Sequence, residues 1–438
     1  MKKLALLPIA ALTFAASTLA NAQTTLVIDS WRSDDAVWNE KIIPAFNKHY
    51  PNIKVEYRSP PDLDASKWNG DMEARFKSES AGDLIACRPF DGSLGLFERG
   101  LLKEVTEMEG MENFPSFALA PWQTDSGAQT FCLPMASVIH GFFYNKDIFK
   151  EVGVNEPVTK ADFYWALEKA KRAGYLPLAM GTKDKWEAAT MGFQNIGPTY
   201  WKGEDGRDGL LTGKERVDSK PYRDTFRELG KWASYMGDDF DKRGYNDAIK
   251  MFADGKAAVY PAGSWDIGTF RGKVNMGVFP PPVEKRGDAC YFSDHTDLGM
   301  GIYSKSKNPE AAETFLKWMT TAEFAELLTN EISGFFSLSN HFFDVKDPIA
   351  QEMISWRDQC DSTIRNSAQV LSRGEPNFEL EIWETSVGVM TGQMSAAQAA
   401  KQLQDGLEEW YQPQKESKQS ASNGNGNGNG NCNCAPLL

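Results

Sequence analysis

The chain has 438 residues, 41% hydrophobic and 24% charged, an ordinary composition for a soluble globular protein but too long for one core. Two or three domains are expected. A net charge of −13 lacks the basic footprint that nucleic-acid binding needs, so no nucleic-acid partner is expected.

Residues 1–22 have the layout of a secretory signal peptide. Lys2 and Lys3 form the charged start, Leu4 to Ala16 the apolar centre, and Ala20-Asn21-Ala22 the small-residue cleavage site. The apolar run is too short to span a bilayer. No cysteine follows the cleavage site, so a lipid anchor is not expected. Removing Lys2 and Lys3 takes the net charge to −15.

The mature chain opens with a short buried strand at Thr25-Leu26-Val27-Ile28 that ends in Asp29-Ser30-Trp31. Val37, Trp38, Ile42, Ile43 and Phe46 fall at helical spacing until Pro51-Asn52. Ile53, Val55 and Tyr57 alternate as a strand, so the opening is a β-α-β unit with parallel strands. Gly82 to Cys87 forms the next strand, followed by a Pro89-Phe90-Asp91-Gly92 turn and a helix closed by Gly100.

Phe131 to Tyr144 is a long apolar run between turn signals, which fits a buried strand crossing from one lobe to another. Asn145-Lys146-Asp147 turns the chain into a short helix closed by Gly153. Thr159 and Asp162 form a capping-box pair for the next helix, whose Phe163, Leu167 and Ala170 make one buried face. Pro177 to Met180 is a strand, Lys183 to Trp186 a loop, and Glu204 to Gly209 a surface turn. The last has a calcium-loop flavour but lacks the distal Glu. Tyr222 to Met236 is an amphipathic helix, and Asp247 to Tyr260 runs helix, turn, strand before Ala262-Gly263-Ser264-Trp265. Leu298 to Tyr303 is a strand. Asn308 is placed to cap the helix that starts at Pro309, and helices fill most of 349–411.

Residues 412–438 end in four Asn-Gly repeats and are expected to be a disordered tail. Cys432 and Cys434 alone do not make a structural zinc site. Among the other four cysteines the pair Cys87–Cys132 is expected, since both fall at strand ends, with buried free thiols as the alternative.

Catalytic chemistry finds little support. The four histidines, His49, His140, His295 and His341, form no zinc pair. There is no Gly-x-Ser-x-Gly elbow, Walker loop or Gly-x-Gly-x-x-Gly. No catalytic residue, metal or cofactor is expected. Carboxylates are abundant, so their number alone does not bear on a glycosidase pair.

Four blocks in order carry a family resemblance: the helix–Pro–Ile-x-Val opening at 45–57; Leu133-Pro134, apolar strand, Phe143-Tyr144-Asn145-Lys146-Asp147; Phe252 to Trp265 with its Gly255-Lys256-Ala257-Ala258; and Ser306-Lys307-Asn308-Pro309-Glu310-Ala311-Ala312. Over residues 24–411 the chain resembles the extracellular solute-binding proteins of ABC transporters, in the sugar-binding branch that includes maltose-binding protein. Phe335 to Leu338 departs from that pattern, since relatives often carry a Pro there.

The resemblance implies an α/β fold of two lobes with an interlobe ligand cleft, the type II periplasmic binding protein fold. Lobe 1 would comprise 23–139 and 296–336, and lobe 2 would comprise 140–295 and 337–411, with crossings near 137–141, 290–296 and 336–340. It implies a periplasmic, monomeric, non-enzymatic protein that hands a sugar or short oligosaccharide to membrane permease subunits. A binder of polyamine or glycerol phosphate, and a secreted carbohydrate-active enzyme, are the alternatives.

Ligands of parallel α/β sheets lie beyond the carboxyl ends of the strands. That geometry selects Trp31, Phe90, Asp91, Trp186 and Trp265, with Asp266 beside Trp265. An indole covers a sugar's C–H face and a carboxylate accepts from its hydroxyls. The resemblance adds Asp297 and Trp383. Trp38, Trp232 and Trp318, on amphipathic helices, are expected in the core.

Overall fold

The computed structural model describes residues 23–32, 34–59, 68–365 and 369–417. The signal-peptide segment and the Asn-Gly and Cys432-Cys434 part of the tail lie outside the described residues.

Ten strands form one connected, partner-switching system: β1 (Thr24–Asp29), β2 (Ile53–Arg58), β3 (Leu84–Cys87), β4 (Leu133–Asn145), β5 (Leu176–Leu178), β6 (Ala257–Gly263), β7 (Met276–Phe279), β8 (Tyr291–Ile302), β9 (Phe336–Ser337) and β10 (Asp361–Thr363). The order is β2-β1-β3-β8-β4-β6-β5, with β7 and β9 also on β4 and β10 on β8. β1 is parallel to both β2 and β3, and β5 is parallel to β6, as the β-α-β pattern requires.

The long apolar run becomes β4, buried at all thirteen positions. Burial on both faces needs covering layers on both sides, which explains its lack of alternation. Its first half pairs with β8 from Leu133↔Met300 to Ile139↔Asp294. Its second half pairs with β6 and β7 instead, from His140↔Gly263 onward. β8 switches likewise, pairing with β10 at its start and with β3 at its end. Two strands therefore run through the whole molecule, and the partner change falls at residues 139–140 of β4.

The cores divide at the same place. One cluster gathers β1, β2, β3, the first half of β4, the end of β8 and residues 311–338. Two others gather residues from 139 to 292 together with 336–407. Trp38, Trp232 and Trp318 are all buried within them, as the helical periodicity predicts.

Local signals translate closely. Asn145 caps the helix Lys146–Val152 through Asp147 and Ile148 amides, and Gly153 closes it at φ 69°. Thr159 and Asp162 cap the helix Lys160–Arg172 reciprocally. Cys87 and Cys132 form a disulfide, and Cys290 and Cys360 a second. The first lies against Gly301 of β8, where a Cβ would sit 2.9 Å from both sulfurs.

Four readings need correction. Glu204–Thr212 is a helix, not a surface turn; it buries Arg207 and Leu210. Asp297 lies inside β8 rather than before it, because the strand extends back to Tyr291. Asn308 does occupy the N-cap position ahead of Pro309, but its side chain makes no capping bond and donates to Thr25 O at 3.0 Å instead. The tail begins later than 412. Residues 412–417 are helical, and buried Gln414 donates to Leu210 O and Glu215 O at 2.8 and 2.9 Å. Among the described residues no helix is long and apolar enough to cross a membrane.

Candidate ligand site

The parallel strands point their carboxyl ends at the line where β4 and β8 change partners. Beyond β1 and β3 come Trp31, Arg88 and Phe90; beyond β5 and β6 come Trp186, Trp265 and Asp266.

Trp31 is only 7% exposed. Trp68 tilts against it at 5.4 Å between centroids, and the Arg88 guanidinium lies 5.3 Å from its ring. Arg88 also reaches Asp297 at 3.9 Å. Trp31 is thus packed on two sides, which spacing along the chain could not show. Phe90 sits at φ 55° and donates its amide to Pro121 O, starting the helix Asp91–Glu98.

Asp91 meets Arg373 at 2.7 Å, and the same guanidinium takes Asp125 through two bonds of 2.6 and 2.8 Å. Leu371 beside Arg373 belongs to the second group of cores, whereas Leu94 and Trp122 beside the two aspartates belong to the first. This ion cluster therefore bridges the two halves. Burial pushes the Asp91 carboxyl up, while Arg373 holds the Asp125 carboxyl below its usual range.

Beyond β5 and β6, three aromatic rings form a wall. Trp186 lies 4.9 Å from Tyr245, and the Trp265 indole donates to the Tyr245 hydroxyl at 3.1 Å. Trp265 is partly buried and packs against the first and the third cores at once. The His140 ring stands nearly perpendicular to it, at 83° and 5.2 Å between centroids.

Asp266 is turned inward. It is 2% exposed and accepts from Tyr245 at 2.6 Å and Tyr260 at 3.1 Å. Its expected place as an open acceptor is corrected: both oxygens are already engaged. Burial pushes its carboxyl up to about 7, against the opposing effect of the two hydroxyls.

Trp383 lies on the helix Phe378–Met390, partly buried against the second core. The next residue, Glu384, pairs with Lys185 at 2.6 Å, so this helix is tied to the Trp186 loop.

Several groups at this seam carry no sequence signal of their own. Tyr245 is the hub of the wall. His140 on β4 and His295 on β8 face each other with Nε2 atoms 2.9 Å apart. Their Nδ1 atoms face Thr190 O and Thr296 O. Burial holds both rings well below the ordinary histidine range. Glu187 follows Trp186, and burial with nearby Asp184 and Asp266 raises its carboxyl to about 9. Among the described residues, no group of three or more His, Cys, Asp or Glu is arranged to hold a metal ion.

An α/β fold with two sets of cores, strands running through both, and an aromatic, carboxylate-bearing seam at the strand ends is the build of a solute-binding protein. Residues 29–326 match the family described as bacterial extracellular solute-binding protein, and the chain belongs to that family. The multiple sugar-binding protein of Streptococcus mutans is 24% identical over 294 residues, 65% of this chain and 68% of that protein. A probable sugar-binding periplasmic protein of Mesorhizobium japonicum is 28% identical over 249 residues, 54% of this chain and 56% of the relative. The solved structure of a chitin oligosaccharide binding protein superposes with a TM-score of 0.72 at 20% identity, covering 91% of this chain and 99% of that one.

Proposed function

We propose that this protein is the periplasmic substrate-binding component of an ABC importer. It captures a sugar or short oligosaccharide between lobes 23–139 with 296–336 and 140–295 with 337–411, and delivers it to the membrane permease as a monomer. The observation that carries this reading is the Trp186–Tyr245–Trp265 group beyond β5 and β6, together with Trp31, Arg88 and Asp297 at the ends of β1, β3 and within β8. Aromatic faces suit the C–H face of a pyranose, and the charged groups suit its hydroxyls. Both relatives are named for sugar binding. Phe90, Asp91 and Trp383 border the same seam.

The protein binds its ligand without turning it over. A calorimetric screen of the mature chain against mono- and oligosaccharides, glycerol phosphate and a polyamine tests the ligand class. Tight binding of a sugar is expected, and recovery of that sugar at unchanged mass separates a binder from a hydrolase. Preference for glycerol phosphate or polyamine, or a cleaved product, would sink the reading.

A further inference from the structure

Glu187 is fully buried, and neither of its carboxyl oxygens has a hydrogen-bond partner among the described residues. Taking such a group out of water unpaired costs roughly 2–7 kcal/mol, so its retention needs a reason.

Its neighbours do not supply one. Asp184 accepts from the Tyr245 amide at 2.8 Å, and Asp247 from the Gly244 amide at 3.0 Å. Asp266 is held by two tyrosine hydroxyls. Arg243 donates from one terminal guanidinium nitrogen to both Met180 O and Met236 O, at 2.8 and 2.7 Å. Asp184, Asp247 and Asp266 are thus engaged and Arg243 is anchored through one guanidinium nitrogen, while among the described residues neither Glu187 oxygen is bonded.

A second orphan lies on the adjoining element. The Trp383 indole Nε1 is buried without a partner. The helix that carries it packs against the π-helical turn Ala188–Phe193, which begins right after Glu187. The Lys185–Glu384 pair pins the same two segments together. A carboxyl and an indole N–H, both unsatisfied among the described residues, thus lie on two segments packed against each other beside the Trp186 loop.

We propose that Glu187 is a specificity-determining ligand contact that takes a hydroxyl of the captured sugar, with the Trp383 N–H donating to the same ligand. This rests on the sugar-binding reading. A protonated carboxyl donates one hydrogen bond and accepts others, which matches a hydroxyl's own donor and acceptor. Burial and the flanking carboxylates favour that protonated form. A site built this way rejects an analogue that lacks the hydroxyl, because the buried acid is again left unpaired.

The test uses the mature full chain and the tightest sugar from the screen, with calorimetry and melting curves run together. Glu187→Gln keeps a donor and an acceptor and should bind within about threefold of the parent. Glu187→Met keeps the volume but removes both. It should weaken binding by about tenfold or more while melting at or above the parent temperature, since an unpaired buried acid has gone. A purely structural role would not raise stability and lower affinity together. Trp383→Phe should cost about threefold to tenfold. If the parent binds sugar and Glu187→Met binds it equally well, the inference is overturned. If Trp383→Phe binds equally well, the indole's part is overturned. If the parent binds no sugar, the functional reading itself falls and this inference with it.

Discussion

Arg373 offers the sharpest test of lobe closure. Its guanidinium holds Asp91 and Asp125 from the other half of the molecule. The side chains are 30%, 34% and 66% exposed, so water screens the cluster considerably. Exposed pairs contribute roughly 0.2–1 kcal/mol each, and the bidentate geometry to Asp125 favours the upper end. The cluster is then worth about 1–2 kcal/mol in the closed arrangement. If it forms only on closure, the whole of that appears in ligand affinity, as a fivefold to thirtyfold loss for Arg373→Met, about 1.4 kcal/mol being tenfold. Calorimetry at about 0.01 M and about 1 M salt, where the Debye length falls from about 30 Å to about 3 Å, separates charge from packing. The parent should lose affinity as salt rises, and Arg373→Met should lose much less. Asp125→Asn should cost more than Asp91→Asn, because burial already disfavours the Asp91 charge. Identical affinity for parent and Arg373→Met at low salt would refute the clamp. Equal losses in the melting temperature of the free protein would show that it is a fixed structural contact.

Trp265→Ala should weaken sugar binding by about tenfold or more and also lower the melting temperature, because the indole packs against two cores; parental affinity would remove Trp265 from the site. Trp232→Ala, fully buried, should cost about 3–5 kcal/mol of stability and leave affinity in the folded fraction unchanged. Replacing either cystine pair with serines should cost about 4 kcal/mol, given loops of 45 and 70 residues, and a melting curve unmoved by reductant would contradict both bridges. Glu187 rises from 4.5 in the unfolded chain to about 9 in the fold, so its cost to stability is least below pH 4.5 and grows as pH climbs toward 9. His140 and His295 act oppositely, costing stability as pH falls below 6.5. Melting curves of Glu187→Gln across this range should lose the alkaline decline, and an unchanged slope would argue against a protonated buried acid.

What the sequence made legible was local. The Thr159–Asp162 capping box, the Gly153 stop and the uninterrupted apolar run of β4 each depend on residues a few positions apart. What it hid was nonlocal. The apolarity of Phe131 to Tyr144 marks a strand that crosses between lobes, but not which strands each half pairs with, because both halves are equally apolar. Arg373 finds Asp91 at a separation of 282 residues, and no pattern of charge along the chain predicts that meeting. Glu187 is conspicuous only as an acid buried with both oxygens unpaired among the described residues, a property that exists in three dimensions alone.

Asp266 shows how a residue can be located correctly and still be given the wrong task. Strand-end geometry brought it to the seam beside Trp265, but could not tell which side of the 3-10 turn Ser264–Asp266 faces inward. The carboxyl points into the lobe and takes the hydroxyls of Tyr245 and Tyr260. Tyr245 in turn receives the Trp265 indole N–H and packs on Trp186. A carboxylate accepting two hydroxyls fixes both donors, and fixing Tyr245 fixes the two indoles that flank it. Asp266 therefore fixes the shape of the aromatic group, with both of its own oxygens already engaged. By that logic Asp266→Asn, which keeps one acceptor oxygen, should loosen the wall and weaken binding less than Trp265→Ala does. Its intrinsic tryptophan fluorescence should shift even without ligand, a change that a direct ligand contact would not produce.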